Sequence, residues 1–199
     1  ACALSAGLLA LTLAACAPKV EVFSYQYDSK LDEVFIKKDV DFSVYEAVIV
    51  DQIEVWYPTE AEPSPENRAR AEANLERARS LFREAINDAL DDRYRVVESA
   101  GPGVLRLTAE FVDLRSVPAG GAVPAELERF EFRTEPGHVT MVARLLDARS
   151  GETLARAADL GKRASVGGDG KVDWDAVRYD FDYWAEVFAE WMDRVHPEI

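Results

Sequence analysis

The C-terminal part of the chain carries the pattern that most restricts its fold. Apolar residues, most of them aromatic, recur there at alternating three- and four-residue steps: Trp174, Val177, Phe181, Trp184, Phe188, Trp191 and Val195. This spacing places them on one face of a helix, with Asp173 as its cap and Pro197 beyond its end. Coiled coils share the spacing but favour Ile, Val and Leu, so we expect a core helix that packs across a sheet. A helix that binds a partner is the alternative.

A sheet for this helix to cover is predicted by several apolar runs. Val48-Ile49-Val50 is typical of a strand that is buried on both faces, and alternation continues the strand to Tyr57. Residues 105–111 and 139–145 alternate apolar with polar side chains, which is the period of a half-buried strand. A turn at residues 147–152 predicts an antiparallel hairpin into a strand at 153–160. Weaker signals predict short strands at residues 94–97 and 130–132.

A second helix is predicted to begin at Pro65, with Ser64 as its cap. Its apolar face is formed by Leu75, Ala78, Phe82, Ala85, Ile86 and Ala89. The element order is therefore β-α-β-β-β-β-α. This order predicts a single α+β domain with a mostly antiparallel or mixed sheet of about 4–6 strands, packed by two main helices.

The N-terminal segment predicts a membrane anchor. Residues 1–18 carry no charged side chain, and they include Leu13-Ala14-Ala15-Cys16, the pattern of a lipobox. A spanning helix needs about 20 mostly apolar residues, and small residues such as Ala14 and Ala15 suit a processing enzyme better than a lipid-facing helix. We therefore predict a signal peptide at residues 1–15, removed on processing, and acyl chains such as palmitate on Cys16. A buried segment with an incidental cysteine is the alternative.

The rest of the chain divides into a tether and a domain. Cys2 and Cys16 are its two cysteines, and processing would leave Cys16 alone, so no disulfide could form within the processed chain. Residues 17–41 mix charges with spaced aromatic residues and show no sustained period. We predict a lipidated tether at residues 16–41, packing partly on the domain through its aromatics, and a globular domain at residues 42–199.

The charge of the chain limits its partners. It has 23 Lys and Arg against 37 Asp and Glu, a net charge of −14. Nucleic acid and anionic lipid headgroups repel such a surface, so we expect neither DNA nor RNA as a partner. High solubility accounts for the charge, and a basic protein partner is a sharper interpretation.

Candidate catalytic and metal-binding residues are sparse, and we predict no enzymatic activity, cofactor or metal. His138 and His196 stand alone and suit surface or capping positions. Glu110 and Asp113 could serve a hydrolase that uses paired carboxylates. Residues 167–171 resemble a phosphate loop with the wrong spacing. Calcium is a weaker possibility for a group of carboxylates that lacks an EF-hand's spacing: Asp169, Asp173, Asp175, Asp180 and Asp182.

Several segments together resemble a known family. They are the lipobox, residues 27–31, residues 45–56, the segment Gly101-Pro102-Gly103-Val104-Leu105-Arg106-Leu107, residues 147–154 and Trp184-Ala185. The chain is similar in them to bacterial lipoproteins that share the domain of unknown function 3313. The resemblance implies an envelope lipoprotein without an assigned activity. The element order also looks like that of the amino-terminal domain of the Tol-system beta-propeller protein, a binding module, although fold does not establish function.

These observations predict a lipid-anchored envelope lipoprotein whose domain binds another envelope component, an unidentified protein. Sorting rules implied by the resemblance send a chain with Ala17 after the cysteine to the outer membrane, facing the periplasm, in preference to the inner membrane. Such a module should show an exposed apolar or aromatic patch. The alternative, an envelope or cell-wall hydrolase, should show a cleft holding two carboxylates with shifted pKa values.

Overall fold

The C-terminal aromatic pattern forms the helix α2, which spans Trp174–Val195. The side chain of Asp173 caps it by accepting hydrogen bonds from the backbone N–H groups of Asp175 and Ala176, at 3.1 and 3.2 Å. Phe181 and Trp184 are buried, with 2% and 3% of their surface exposed. The prediction of a core helix is therefore confirmed.

The computed structural model describes residues 22–51, 53–56, 65–90, 93–113, 138–164 and 172–197. Before α2, the chain forms β1 (Phe23–Tyr25), β2 (Glu33–Lys37), a 3-10 turn (Phe42–Val44), β3 (Ala47–Val50), β4 (Glu54–Trp56), α1 (Pro65–Leu90), β5 (Arg95–Val96), β6 (Val104–Asp113), β7 (His138–Asp147) and β8 (Thr153–Ala164). The predicted strand at residues 130–132 lies outside the described residues.

The described strands form one mixed sheet in the order β1-β2-β8-β7-β6-β3-β5, and β4 also pairs with β6. β3 runs parallel to β5 and β6, and β4 runs parallel to β6. The other pairs are antiparallel, including the predicted hairpin of β7 and β8. The predicted α+β class with two main helices is confirmed, and the sheet is mixed because the chain passes through α1 between its parallel strands.

The described part of the chain already contributes eight strands to the sheet, more than the predicted 4–6. β1 and β2 contain 3 and 5 residues, which is too short for an alternating period to be recognised. β4 was predicted as the continuation of β3 but is a separate strand that pairs further along β6. The element order accordingly begins with strands that β-α-β-β-β-β-α does not contain.

The segment predicted as a tether, residues 16–41, contributes β1 and β2 to the sheet. β2 pairs antiparallel with β8, where Glu33 lies opposite Ala158 and Ile36 opposite Ala155. β1 then pairs with β2 and forms one edge of the sheet. From residue 23 onward, the chain is thus joined to the domain by backbone hydrogen bonds as well as by aromatic contacts.

Both helices pack on one face of the sheet, where aromatic rings form the centre of the core. Phe111 of β6 is stacked 4.8 Å from Phe181 and 5.6 Å from Trp184, measured between ring centroids. Phe82 of α1 meets Phe111 and Phe181 edge to face, at 5.4 Å each. These contacts join both helices to the central strands.

The opposite face of the sheet carries ion pairs. Arg106 Nη1 lies 2.9 Å from Asp51 Oδ2, and Arg144 Nη2 lies 3.2 Å from Glu110 Oε1. These side chains keep partial solvent exposure, so each pair contributes at most about 1 kcal/mol. The two faces therefore differ in chemistry, as the alternation along β6 predicts.

Replacing Phe181 by Ala should lower the free energy of unfolding by about 3–5 kcal/mol, because it leaves a cavity between the helices and β6. Tyr179→Ala is the matched control on the same helix, since Tyr179 is 43% exposed and contacts Arg163 at the surface. We expect the control to lose less than about 1 kcal/mol. Urea unfolding followed by circular dichroism measures both, and equal losses would contradict this description of the core.

Candidate functional site

A cavity of about 370 Å³ lies between α2 and the part of the sheet formed by β2, β7 and β8. Small-molecule sites have volumes of about 300–1000 Å³ and mainly apolar walls, so this cavity is large enough for a ligand. Its apolar walls are formed by Val34, Ile36, Phe82, Ile86, Leu107, Met141, Ala143, Leu145, Ala155, Ala157, Leu31, Trp184, Val187, Phe188, Trp191 and Val195. Its polar lining residues are Gln26, Asp28, Ser29, Lys30, Arg144, Arg156 and Arg194.

Residues 26–31, which link β1 to β2, line one side of the cavity and are held against α2. The Tyr183 hydroxyl donates a hydrogen bond to the Lys30 carbonyl oxygen at 2.7 Å. Lys30 Nζ lies 2.6 Å from Glu190 Oε2. α2 thus supplies apolar side chains to the cavity and polar contacts to the segment beside it.

A buried carboxylate, Asp159, fixes the end of this segment. It is 1% exposed and accepts hydrogen bonds from the Asp32 backbone N–H at 2.9 Å and from Trp184 Nε1 at 2.8 Å. Lys162 Nζ lies 3.1 Å from Oδ1, and the Leu160 N–H donates to the Asp32 side chain at 3.0 Å. Burial raises the pKa of Asp159 in spite of these donors. The network positions Trp184, one of the cavity walls.

A second buried carboxylate, Asp180, lies on α2 close to the same strand. It is 1% exposed, and its Oδ1 accepts a hydrogen bond from the Lys162 backbone N–H at 2.8 Å. Oδ2 has no hydrogen-bond partner, and burial raises the pKa of this carboxyl group. A Cβ at Gly161 would lie 2.4 Å from Oδ2, so the close approach of β8 to Asp180 requires glycine. Neither Asp159 nor Asp180 lines the cavity.

The structure separates the other residues that were singled out in the sequence. Nδ1 of His138 lies 2.8 Å from the Gly161 carbonyl oxygen, and His196 follows α2 as its C-cap with Nδ1 2.8 Å from the Met192 carbonyl oxygen. Glu110 is paired with Arg144 on the face of the sheet opposite the helices. The side chain of Asp113, its proposed catalytic partner, lies outside the described residues.

The described carboxylates that were considered as calcium ligands lie within α2 or cap its N-terminus. Asp173 is its N-cap, Asp175 lies in its first turn, and Asp180 is buried against β8. Among the residues that the structure describes, no group of three or more His, Cys, Asp or Glu side chains could hold a metal ion. Asp169, residues 167–171 and the lipidation site predicted at Cys16 lie outside the described residues.

An exposed aromatic patch, which we call the edge patch, is formed by Phe23, Tyr25, Tyr27 and Phe35. Tyr27 is 88% exposed, and its ring packs edge to face on Tyr25 at 4.7 Å. Tyr25 also contacts Phe35 at 5.3 Å. Arg156 of β8 lies over the Phe23 ring at 4.5 Å. The sequence indicated aromatics that pack back on the domain, but Tyr27 instead faces solvent.

Asn substitutions of the two buried carboxylates should affect stability differently. Asp159→Asn should lower the free energy of unfolding by about 2–4 kcal/mol, because an amide cannot accept from all three donors. Asp180 has a raised pKa in the folded state, so folding binds its proton more tightly and its contribution to stability falls as pH rises from the ordinary Asp range through the raised pKa. Asp180→Asn removes that loss and should leave the domain as stable or more stable at neutral pH.

The measurement is urea unfolding of both variants at a series of pH values from about 4 to 8. The stability of Asp180→Asn relative to the unmodified chain should increase with pH across this range. A loss of stability that grows as the pH rises would show that the ionised Asp180 carboxylate is stabilising, contrary to this account.

Among the residues described, no helix is long and apolar enough to cross a membrane. No curated protein matches the chain.

Similar solved structures include a PelC dodecamer from Paraburkholderia phytofirmans, at 11% identity and TM-score 0.38, covering 78% of this chain and 96% of that chain. A DUF4136 family protein from Bacteroides thetaiotaomicron matches at 9% identity and TM-score 0.39, covering 87% and 97%. Such low scores support no inference about activity.

The family comparison is more direct. The model of the family described as "Protein of unknown function (DUF3313)" matches residues 23–188, from the first residue of β1 into the second half of α2. The match spans β1 and β2, the segment between them and most of α2, which together form much of the cavity. The resemblance noted in the sequence is confirmed: the chain belongs to the DUF3313 family.

Proposed function

We propose that the protein is a lipid-anchored lipoprotein of the bacterial envelope, attached through Cys16 to the periplasmic face of the outer membrane, and that its domain binds another envelope protein. The single observation that carries the binding function is the edge patch, in which Tyr27 exposes 88% of its surface. No enzymatic activity is part of the proposal.

The anchor is supported by the lipobox that ends at Cys16 and by the short stretch of chain between Cys16 and the sheet. Phe23 begins β1 only a few residues after Cys16. A chain extends by at most about 3.6 Å per residue, so β1 would lie within roughly 25 Å of the acylated cysteine. The edge of the sheet that carries the edge patch would therefore lie close to the membrane.

Binding at the edge patch is supported by its composition and position. Tyr and Arg are enriched among the residues that dominate binding energy, and the patch contains Tyr25 and Tyr27, with Arg156 of β8 over its Phe23 ring. Among the described strands, β1 pairs only with β2, so its outer side is open to a partner. A net charge of −14 favours a partner with a basic surface.

Cys16→Ser should release the protein from the membrane fraction, because it removes the acylated side chain. Cys2→Ser is the matched control, since Cys2 lies in the segment predicted to be removed. We expect the control to stay in the outer-membrane fraction and to incorporate an alkyne-labelled palmitate, while Cys16→Ser does neither. A Cys16→Ser protein that still carries the label would refute the anchor.

A photoreactive phenylalanine analogue at position 27 tests the binding surface in intact cells. It should give a discrete crosslinked protein, because Tyr27 is the most exposed ring of the edge patch. The same analogue at position 179, an exposed tyrosine on α2, should not give that product. Tyr25→Ala should weaken the crosslink, and identical products from both positions, or none from position 27, would count against the surface.

A further inference from the structure

We propose that the cavity beside α2 binds a single long acyl chain, with the carboxylate or phosphate end of the ligand at Arg194. The rings of the edge patch do not line this cavity, and the inference does not depend on the anchor or the protein partner proposed above.

The dimensions of the cavity favour an unbranched chain. Its lining runs along α2 from Trp184 to Val195, which at 1.5 Å per residue is about 16 Å. Its volume of about 370 Å³ is distributed along that length. An elongated space with apolar walls fits a polymethylene chain.

The chemistry of the cavity favours a ligand with one apolar end. Its inner end is formed by Trp184, Phe82 and Ile86, which are 1% to 3% exposed. Apolar side chains are stabilised when they contact apolar atoms in place of water. An acyl chain would supply those contacts without burying a polar group.

The rim offers a partner for an anionic head. Arg194 is exposed at the last turn of α2, and no carboxylate of the described residues pairs with it. The other cationic residues of the lining already have contacts: Lys30 is paired with Glu190, Arg144 with Glu110, and Arg156 lies over the Phe23 ring. Asp28 also lies at the rim, which disfavours a ligand with a large negative charge. A guanidinium binds a single carboxylate or phosphate through two parallel hydrogen bonds, so Arg194 suits a fatty acid or a lysophospholipid.

The test uses the full chain carrying Cys16→Ser, so that no acyl group of its own can enter the cavity. Titration with dodecanoate and, separately, with lysophosphatidylglycerol is followed by calorimetry and by tryptophan emission, since Trp184 and Trp191 line the cavity. We expect saturable binding of one ligand per chain and a rise in melting temperature. Binding of dodecanoate alone would identify a free fatty acid, and binding of the phospholipid would identify a membrane lipid.

Two variants locate the ligand. Ala157→Leu should fill the cavity and abolish binding while the domain stays folded, whereas Ala73→Leu on the exposed side of α1 should bind as before. Arg194→Ala should weaken dodecanoate about tenfold and leave uncharged dodecanol unaffected. Unchanged binding in Ala157→Leu, equal loss of both ligands in Arg194→Ala, or no saturable binding of either amphiphile would overturn the proposal.

Discussion

The aromatic face of α2 lies against one side of the sheet, and most other features of the domain are positioned by that contact. Phe181 and Trp184 stack on Phe111 of β6, and Phe82 brings α1 into the same cluster. Further along α2, the rings of Phe188 and Trp191 line the cavity. The same helix therefore closes the core at one end and forms a binding wall at the other.

Two buried carboxylates lie where α2 contacts the sheet, and they affect the stability of the domain in different ways. Asp159 joins three parts of the chain through well-placed donors, so its burial serves to hold residues 26–32 and Trp184 in register. Asp180 has an oxygen without a hydrogen-bond partner and lies against Gly161. Its burial therefore costs desolvation free energy that few hydrogen bonds offset. Neither faces the cavity, which is why their shifted pKa values do not indicate a hydrolase.

Much of the fold can be predicted from the sequence, because the periodic spacing of apolar residues continues over long segments. α2 extends over 22 residues, and the alternation of β6 covers residues 105–111. Asp173 as the cap of α2 and Pro65 at the first position of α1 mark where the helices begin. β1 and β2 could not be recognised, because strands of 3 and 5 residues form only when β8 provides a partner. The cavity could not be predicted from the sequence either. Its walls come from β2, β7, β8 and both helices, and no local sequence pattern indicates that these elements lie together. Tyr27 was recognised as an aromatic residue, but its exposure depends on that same packing.

The pairing of β2 with β8 has a consequence for the order in which the domain is assembled. Asp32 and Asp159 meet across 127 positions of sequence, so the loop-closure entropy of this contact is among the largest in the molecule. During synthesis the N-terminal strands emerge first, yet they have no place in the sheet until β8 has been made. We expect β1 and β2 to join last, after α2 has covered the central strands. The wall that residues 26–31 give to the cavity is then the final part of the domain to form, and the first to open when it unfolds locally.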